Sequence, residues 1–203
     1  MRKYGKSLGF CFLIAVLIWF GAVLTDRQKL NAELIRLHVV AHSDSAEDQA
    51  IKLQVRDAVT NYLQEAMADI ADVETAKDYL RENLPKIQSV ANRTLEAAGV
   101  DADAVVTLAK ESFDTRFYDT FRLPAGVYES LRIIIGDGAG KNWWCVVFPS
   151  LCLPATTSGF ETVAAGAGFD EALLGALEGK AEYEIRFFFL DKLGELENKF
   201  FRA

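Results

Sequence analysis

The sequence predicts an α+β fold, with a mixed or antiparallel sheet of about five strands and two or three long helices of the N-terminal half packed on it. Two observations predict this class. Apolar residues recur three and four positions apart through much of the N-terminal half. After Ala104 the chain instead breaks into short β-branched or aromatic runs that Gly, Pro and Asp separate.

The chain begins with a targeting or anchoring segment. Arg2, Lys3 and Lys6 precede an uncharged, mostly apolar run from Leu8 to Leu24. As a helix this run is roughly 25 Å long, which fits both a signal peptide and a membrane anchor. Because the basic residues precede the run, we expect the N-terminus in the cytoplasm and the rest of the chain outside it. The segment lacks a small-residue cleavage site of the A-x-A type, which is compatible with either inefficient cleavage or retention as an anchor.

We expect residues 1–27 to be the signal peptide or membrane anchor. Residues 28–203 are long enough to form a single extracytoplasmic α+β domain with its own core. After Leu24, 19 basic residues stand against 29 acidic ones. This negative balance excludes a phosphate-backbone binder, which needs a cationic surface, and it disfavours an anionic lipid face.

The first predicted strand begins at Ile35. One of its faces carries Ile35, Leu37, Val39 and Ala41, and the other carries Arg36, His38, Val40 and His42. A long amphipathic helix to about Ile70 follows. Asp44 and Ser45 each precede an acidic residue by three positions, a capping-box spacing that predicts the start of this helix.

A second helix is predicted from Glu74, and Pro85 is expected to break it near Leu84 because proline lacks the backbone donor. A third helix then restarts at Pro85. Gly99 is expected to end it, since glycine adopts the left-handed conformation at little cost.

Four more strands are predicted in the C-terminal half, in the runs AVVTLAKESF, ESLRIIIG, NWWCVVF and EYEIRFFFL. GDGAGK, Gly136 to Lys141, is predicted to join the second and third of these runs as a hairpin connection. It lacks the spacing of a phosphate-binding loop. Ala155 to Phe169 is predicted to be a surface loop, and a short helix from Asp170 to Leu177 follows it.

Cys145 and Cys152 are candidates for a disulfide, because the expected compartment is oxidising. A pair of unlinked buried thiols is the alternative. The pair has no histidine nearby in sequence, which argues against zinc, and a cysteine inside an apolar strand is seldom an activated nucleophile. His38 and His42 lie about 13 Å apart at strand rise, too far to share a metal. We expect no cofactor and no metal.

Both faces of the predicted strands are apolar, so the sheet needs cover on both sides. Trp143 and Trp144 are neighbours in one strand and should point to opposite faces. If the helices cover one face only, the other exposes an aromatic patch suited to a partner. If the helices are divided between the faces, nothing remains uncovered.

Two long motifs carry a family resemblance. They are IRLHVVAHSDSAEDQAIKLQVRDAV, Ile35 to Val59, and LPAGVYESLRIIIGDGAGKNWWCVVFPSLC, Leu123 to Cys152. Together with the N-terminal apolar segment they resemble the stage II sporulation protein R family of endospore-forming bacteria. His42 departs from the family pattern, where asparagine is expected, and this weakens any metal or acid–base role for it.

The resemblance implies a signalling protein that is exported from the forespore into the space between the forespore and mother-cell membranes. There the family activates a membrane-embedded aspartyl protease, stage II sporulation protein GA, which processes the precursor of a mother-cell sigma factor. The chain would then be an activating ligand and not an enzyme. An extracytoplasmic cell-envelope hydrolase and a passive envelope domain are the alternatives from other classes.

Motif placement suggests where the receptor binds. The hypothetical partner surface combines the strand and turn from Arg36 to Asp44 with the ribbon from Trp143 to Cys152. Its named contact residues are Arg36, His38, Asp44, Trp143, Trp144 and Phe148.

Overall fold

The computed structural model describes residues 2–149, 166 and 169–202, and the side chains from residue 9 onward. Within these residues, five α-helices and six strands make up the fold, which is α+β as predicted. The helices are α1 (Arg2–Glu33), α2 (Ala46–Ala66), α3 (Val73–Ala97), α4 (Glu171–Glu178) and α5 (Glu184–Arg202). The strands are β1 (Ile35–Val40), β2 (Ala104–Phe113), β3 (Arg116–Phe117), β4 (Arg122–Leu123), β5 (Gly126–Ile135) and β6 (Asn142–Phe148).

The main sheet is four-stranded and mixed, in the order β2-β5-β1-β6. β1 runs parallel to β5, and the β1–β6 and β2–β5 pairs are antiparallel. β3 and β4 form a separate small hairpin. The first strand in sequence therefore lies in the middle of the sheet, and all six of its residues are buried.

The helices are divided between the two faces of the sheet. α2 and α3 cover one face, called here the α2/α3 face, where the core contains Ile35, Leu37 and Val39 of β1. α1, α4 and α5 cover the α1/α5 face, where Leu30 and Leu34 are fully buried. Because both faces are covered, no large aromatic patch is left on the described part of the sheet.

α1 continues without a break across the predicted boundary between leader and domain at residues 27 and 28. Its C-terminal half packs on β5 and α5. Two ion pairs fix this contact: Asp26 with Arg186 at 2.5 Å, which is largely buried, and buried Arg27 with the partly exposed Glu197 at 2.5 Å.

GDGAGK does not form the predicted hairpin. β5 and β6 are not neighbours, because β1 lies between them, so this loop crosses the end of β1. Its backbone follows the chain beyond β1: the amide of Ala139 donates to the carbonyl of His42, and that of Gly140 to the carbonyl of Ala41. Gly136 has a φ of 52°, and a Cβ there would lie 2.4 Å from Nδ1 of His42, so a glycine is required.

Pro85 does not divide α3 into two helices. The helix is continuous, and Pro85 lies on its exposed side, where water can bond the carbonyl that lacks a partner. The buried stripe continues past the proline through Leu80, Ile87 and Ala91. Packing of that stripe outweighs the local cost of the proline. Gly99 follows the helix with a φ of 73°, as predicted.

EYEIRFFFL was predicted as a strand and is helical. A 3-10 turn (Ala181–Tyr183) leads into α5, which buries Phe187, Leu190, Gly194 and Asn198. This spacing of three or four residues is that of a helix face. Gly194 permits the packing, because a Cβ there would lie 1.6 Å from the carbonyl oxygen of Ala125.

Two further predictions are confirmed. Ser45 caps α2 by accepting a hydrogen bond from the amide of Asp48 at 3.0 Å, although the helix ends at Ala66 and not near Ile70. The short helix α4 lies within one residue of its predicted bounds. The predicted loop from Ala155 to Phe169 lies, apart from Gly166 and Phe169, outside the described residues.

Candidate functional site

His38 is a buried hydrogen-bonding bridge in the middle of the α1/α5 face. Its Nδ1 lies 2.8 Å from Oε1 of Glu111 on β2, and its Nε2 lies 2.8 Å from Oδ1 of Asn142 on β6. The ring stacks on Trp144, with centroids 5.7 Å apart and planes 19° apart. Both nitrogens are occupied and the residue is 6% exposed, so the geometry is that of a structural tie between strands.

Glu111 is held in its charged form. Burial opposes ionisation of this carboxyl, but the hydrogen bond and charge of His38 outweigh burial, and the pKa of Glu111 lies below its usual value. The side chain is mostly shielded from solvent. The pair therefore links β1 to β2 across β5 with a charge-assisted contact.

Arg36 lies beneath the same region and is fully buried. One guanidinium nitrogen donates to the hydroxyl of Tyr118 at 3.0 Å, and the cation lies over the rings of Phe113, at 4.3 Å, and Tyr128, at 5.2 Å. Within the described residues, its Nε and Nη1 have no hydrogen-bond partner. Aromatic faces thus supply much of the stabilisation of this cation.

The β3–β4 hairpin (Arg116–Leu123) covers these side chains. Arg116 lies over the Trp144 ring at 3.6 Å, and Tyr118 contacts Arg36. Three of the predicted contact residues, Arg36, His38 and Trp144, are therefore brought together, but under a flap and not on the surface.

Trp143 occupies the opposite face and is accessible. It is 37% exposed, and the guanidinium of Arg56 on α2 lies over its ring at 4.3 Å. The predicted opposite orientation of Trp143 and Trp144 is confirmed.

Phe148 does not share the face of Trp144 as predicted. The register of β6 against β1 shifts at Ile35 and Arg36, which face Phe148 and Val146, so Val147 is an extra residue. Such a bulge breaks the alternation. Phe148 therefore joins Val147 in the core of the α2/α3 face and is buried.

Asp44 lies in the exposed turn after β1 and fixes the neighbouring loop. Its Oδ1 accepts a hydrogen bond from the amide of Lys141 at 2.7 Å. Lys52 donates to the carbonyl of Lys141 at 3.0 Å, and burial, followed by the charge of Arg56, lowers its pKa. Because Lys141 directly precedes β6, Asp44 and Trp143 lie at the same end of the sheet.

Cys145 is buried in β6 on the α2/α3 face. Cys152 lies outside the described residues, so the disulfide between them stays a prediction. Within the described residues no group of His, Cys, Asp and Glu side chains could hold a metal ion.

The sequence analysis missed four residues that contact Arg36, His38 or Trp144. They are Glu111, Asn142, Arg116 and Tyr118. Their positions depend on the pairing order of the strands and on the fold of a hairpin. One of the four could have been found from the sequence. Glu111 is an acidic residue in a predicted strand, and a buried carboxylate requires a partner for its charge.

By length and composition, the stretch of α1 from Gly9 to Glu33 is long and apolar enough to cross a membrane. The fold and the site thus define a mixed-sheet α+β domain attached to an apolar N-terminal helix.

A family model described as stage II sporulation protein R matches residues 31–158. The chain belongs to this family, and membership supports a role in sporulation signalling.

Stage II sporulation protein R of Bacillus subtilis is 42% identical to the chain over 120 residues. The alignment covers 59% of this chain and about half, 54%, of that relative. No solved structure matches the chain.

Proposed function

We propose that this chain is an exported sporulation signal that activates a membrane-embedded aspartyl protease, stage II sporulation protein GA. The protease would then process the precursor of a mother-cell sigma factor. Family membership over residues 31–158 is the observation that carries the proposal. The chain acts as a ligand in this scheme, and its own residues perform no hydrolysis.

The apolar run of α1 supports a location in the space between the forespore and mother-cell membranes. Arg2, Lys3 and Lys6 precede the run and keep that end in the cytoplasm of the forespore. The domain that follows then lies on the extracytoplasmic side. Burial of Leu30 and Leu34 in the core favours retention of the helix as an anchor.

The receptor-binding surface that we propose is the end of the sheet formed by Asp44, Arg56 and Trp143. Asp44 and Trp143 are exposed, and the aromatic ring and the guanidinium offer the residue types that dominate binding energy at interfaces. Arg36, His38 and Trp144 support this end from the core, as the buried hydrogen bonds and stacked rings indicate.

This surface also has a suitable direction. β1 begins directly after α1, and its six residues lead about 20 Å to the turn that contains Asp44. Arg27 of α1 contacts Tyr128 near the beginning of β5, which is parallel to β1. The anchor and the proposed surface therefore lie at opposite ends of the sheet, and the surface faces away from the forespore membrane towards a receptor in the opposing one.

Co-expression in a non-sporulating host tests both the function and the surface. The full chain, the protease and the sigma precursor are combined, and precursor cleavage is followed by immunoblot. We expect cleavage only when all three are present, and a reduction of about tenfold or more for Trp143→Ala, since removing a central aromatic contact costs about 2 kcal/mol.

Phe200→Ala is the matched control, because Phe200 is an exposed aromatic residue near the end of α5. It should leave cleavage unchanged. Full cleavage with folded Trp143→Ala would exclude this surface, and absence of cleavage with all wild-type components would exclude the activator function.

A further inference from the structure

The part of α1 that is free of the domain is too short to cross a bilayer. Its large apolar side chains are exposed from Phe10 to Ile18, which is about 15 Å of helix. From Trp19 onward the helix contacts the domain: the Trp19 ring lies 5.3 Å from that of Phe189, and Phe20 lies 6.4 Å from it.

The thickness of the bilayer determines the depth in the membrane at which these contacts lie. A hydrocarbon core of about 30 Å needs about twenty helical residues, and counting from Lys6 these reach Asp26. Trp19, Phe20 and Val23 then lie within the apolar layer. Whatever part of the domain touches them must lie at the same depth.

That part is the beginning of α5, which carries two exposed apolar side chains. Ile185 is 68% exposed and Phe188 is 54% exposed. Phe188 packs edge-on against Phe189, with centroids 5.5 Å apart, so the exposed pair continues the apolar surface of α1. Exposed apolar groups next to a membrane helix are typical of an interfacial contact.

We propose that the first two turns of α5 are a second membrane contact, with Ile185 and Phe188 inserted among the lipid chains of the extracytoplasmic leaflet. The occupant of this surface is the lipid bilayer that α1 crosses. The contact makes up the missing depth of the anchor and fixes the tilt of the domain on the membrane. It does not depend on the identity of the receptor.

Charged groups at this end are arranged for such a position. Glu184 pairs with Arg122 at 2.9 Å, and Arg186 pairs with Asp26. Asp191 accepts a hydrogen bond from the amide of Ala125 at 2.8 Å. Pairing reduces the cost of moving these groups to the edge of the apolar layer.

Because the domain is acidic, its contact with the membrane must rest on apolar side chains and not on attraction to anionic lipid. Anionic lipid would repel the negative surface and should not deepen the insertion. We therefore expect the same depth in bilayers of phosphatidylcholine alone and in bilayers that also contain phosphatidylglycerol.

Accessibility of a spin label measures this depth directly. The full chain carries Cys11→Ala, which removes the exposed thiol, together with Phe188→Cys, and is reconstituted in phosphatidylcholine nanodiscs. We expect oxygen to relax the label at least about threefold more than a water-soluble nickel complex does. The parent Cys11→Ala chain gives the background signal.

Val105→Cys is the matched control. Val105 is also an exposed apolar residue, but it lies at the beginning of β2 and pairs with Ile134, at the far end of the sheet from Arg27. We expect the nickel complex to dominate there. Ile185→Cys is the independent second site on α5 and should give the same result as position 188.

Two outcomes would overturn the proposal. Labels at positions 185 and 188 that are as accessible to nickel as position 105 would place α5 in water. Labels that become protected only when the protease is added to the nanodiscs would make this patch a protein-binding site. Because both residues are exposed, the substitutions remove no core contact, and circular dichroism checks the fold.

Discussion

At the scale of single residues, the centre of the α1/α5 face depends on one buried histidine with partners on both sides. His38 reaches Glu111 on one edge strand and Asn142 on the other, so a single side chain ties three strands of the sheet. The stack with Trp144 and the cation of Arg116 above it close the cluster. These contacts give the exposed Trp143 a rigid base.

Substitution of Glu111 should show how much its ionised carboxylate contributes to the stability of the fold. The pKa of Glu111 is lowered, so the group stabilises the native state above the unfolded pKa of about 4.3, and this stability is lost as pH falls through the folded pKa. We expect Glu111→Gln to cost about 1–2 kcal/mol at pH 7. The cost should shrink towards pH 3, as measured by urea unfolding of the purified chain.

Glu96→Gln, at an exposed position of α3, is the control and should change stability by less than about 0.5 kcal/mol at pH 7. An equal cost for Glu111→Gln at both pH values would show that its ionisation contributes nothing.

How far the residues of the site could be predicted depends on where their partners lie. The opposite orientation of Trp143 and Trp144 follows from local alternation, and it is correct. The contact of His38 with Glu111 could not be predicted in this way, because the two residues belong to strands that β5 separates. The predicted orientation of Phe148 was wrong. A β-bulge turns its side chain to the other face of the sheet, and the local sequence carries no clear signal of that bulge.

At the scale of elements, α5 shows how strand propensity can mislead. Three consecutive phenylalanines, Phe187 to Phe189, favour a strand, but the buried positions continue at helical spacing as far as Asn198. The decisive signal lay beyond Leu190, where the predicted strand ended. A longer window would have favoured the helix.

α3 shows the opposite case, in which a strong local rule yields to packing. The buried stripe on both sides of Pro85 holds one helix together, and the proline ring points to solvent. Pro85→Ala restores a backbone donor and removes a steric clash. We expect it to stabilise the protein by about 1–3 kcal/mol, less than the full proline penalty because the unfolded chain also gains freedom.

Thermal unfolding of the purified chain measures this gain. Lys86→Ala, at the next exposed position, is the control and should change stability by less than about 0.5 kcal/mol. A loss of stability on Pro85→Ala would mean that the proline fixes a bend that the packing of α3 requires.

At the scale of the whole molecule, the apolar N-terminal helix and the rest of the fold share one core. Leu30 and Leu34 are fully buried under α5, and Asp26 and Arg27 hold the ion pairs. α1 is thus a structural helix as well as an apolar one. The predicted division at residue 27 would cut through this packed helix.

Truncation should separate these two roles. A chain that begins at Val23 keeps Val23, Leu30 and both ion pairs, although it loses the contacts of Trp19 and Phe20 with Phe189. A chain that begins at Leu34 also loses Leu30 and leaves Arg186 and Glu197 without their ion-pair partners. We expect the shorter chain to be less stable by about 4 kcal/mol or more.

Urea unfolding of the two truncated domains provides the measurement. The chain from Val23 is the control for loss of the exposed apolar part of α1 together with the ring contacts of Trp19 and Phe20. Equal stability of both truncated chains would show that α1 is dispensable for folding.

The central place of β1 affects the order in which the protein can fold. As the chain emerges, from the ribosome or from a translocation channel, β1 appears first, yet both strands that pair with it belong to Gly126–Phe148. Every hydrogen bond of its ladder is non-local, which makes folding slow. The polypeptide therefore stays loose until the segment Gly126–Phe148 has emerged, and this late closure suits the export across a membrane that we propose.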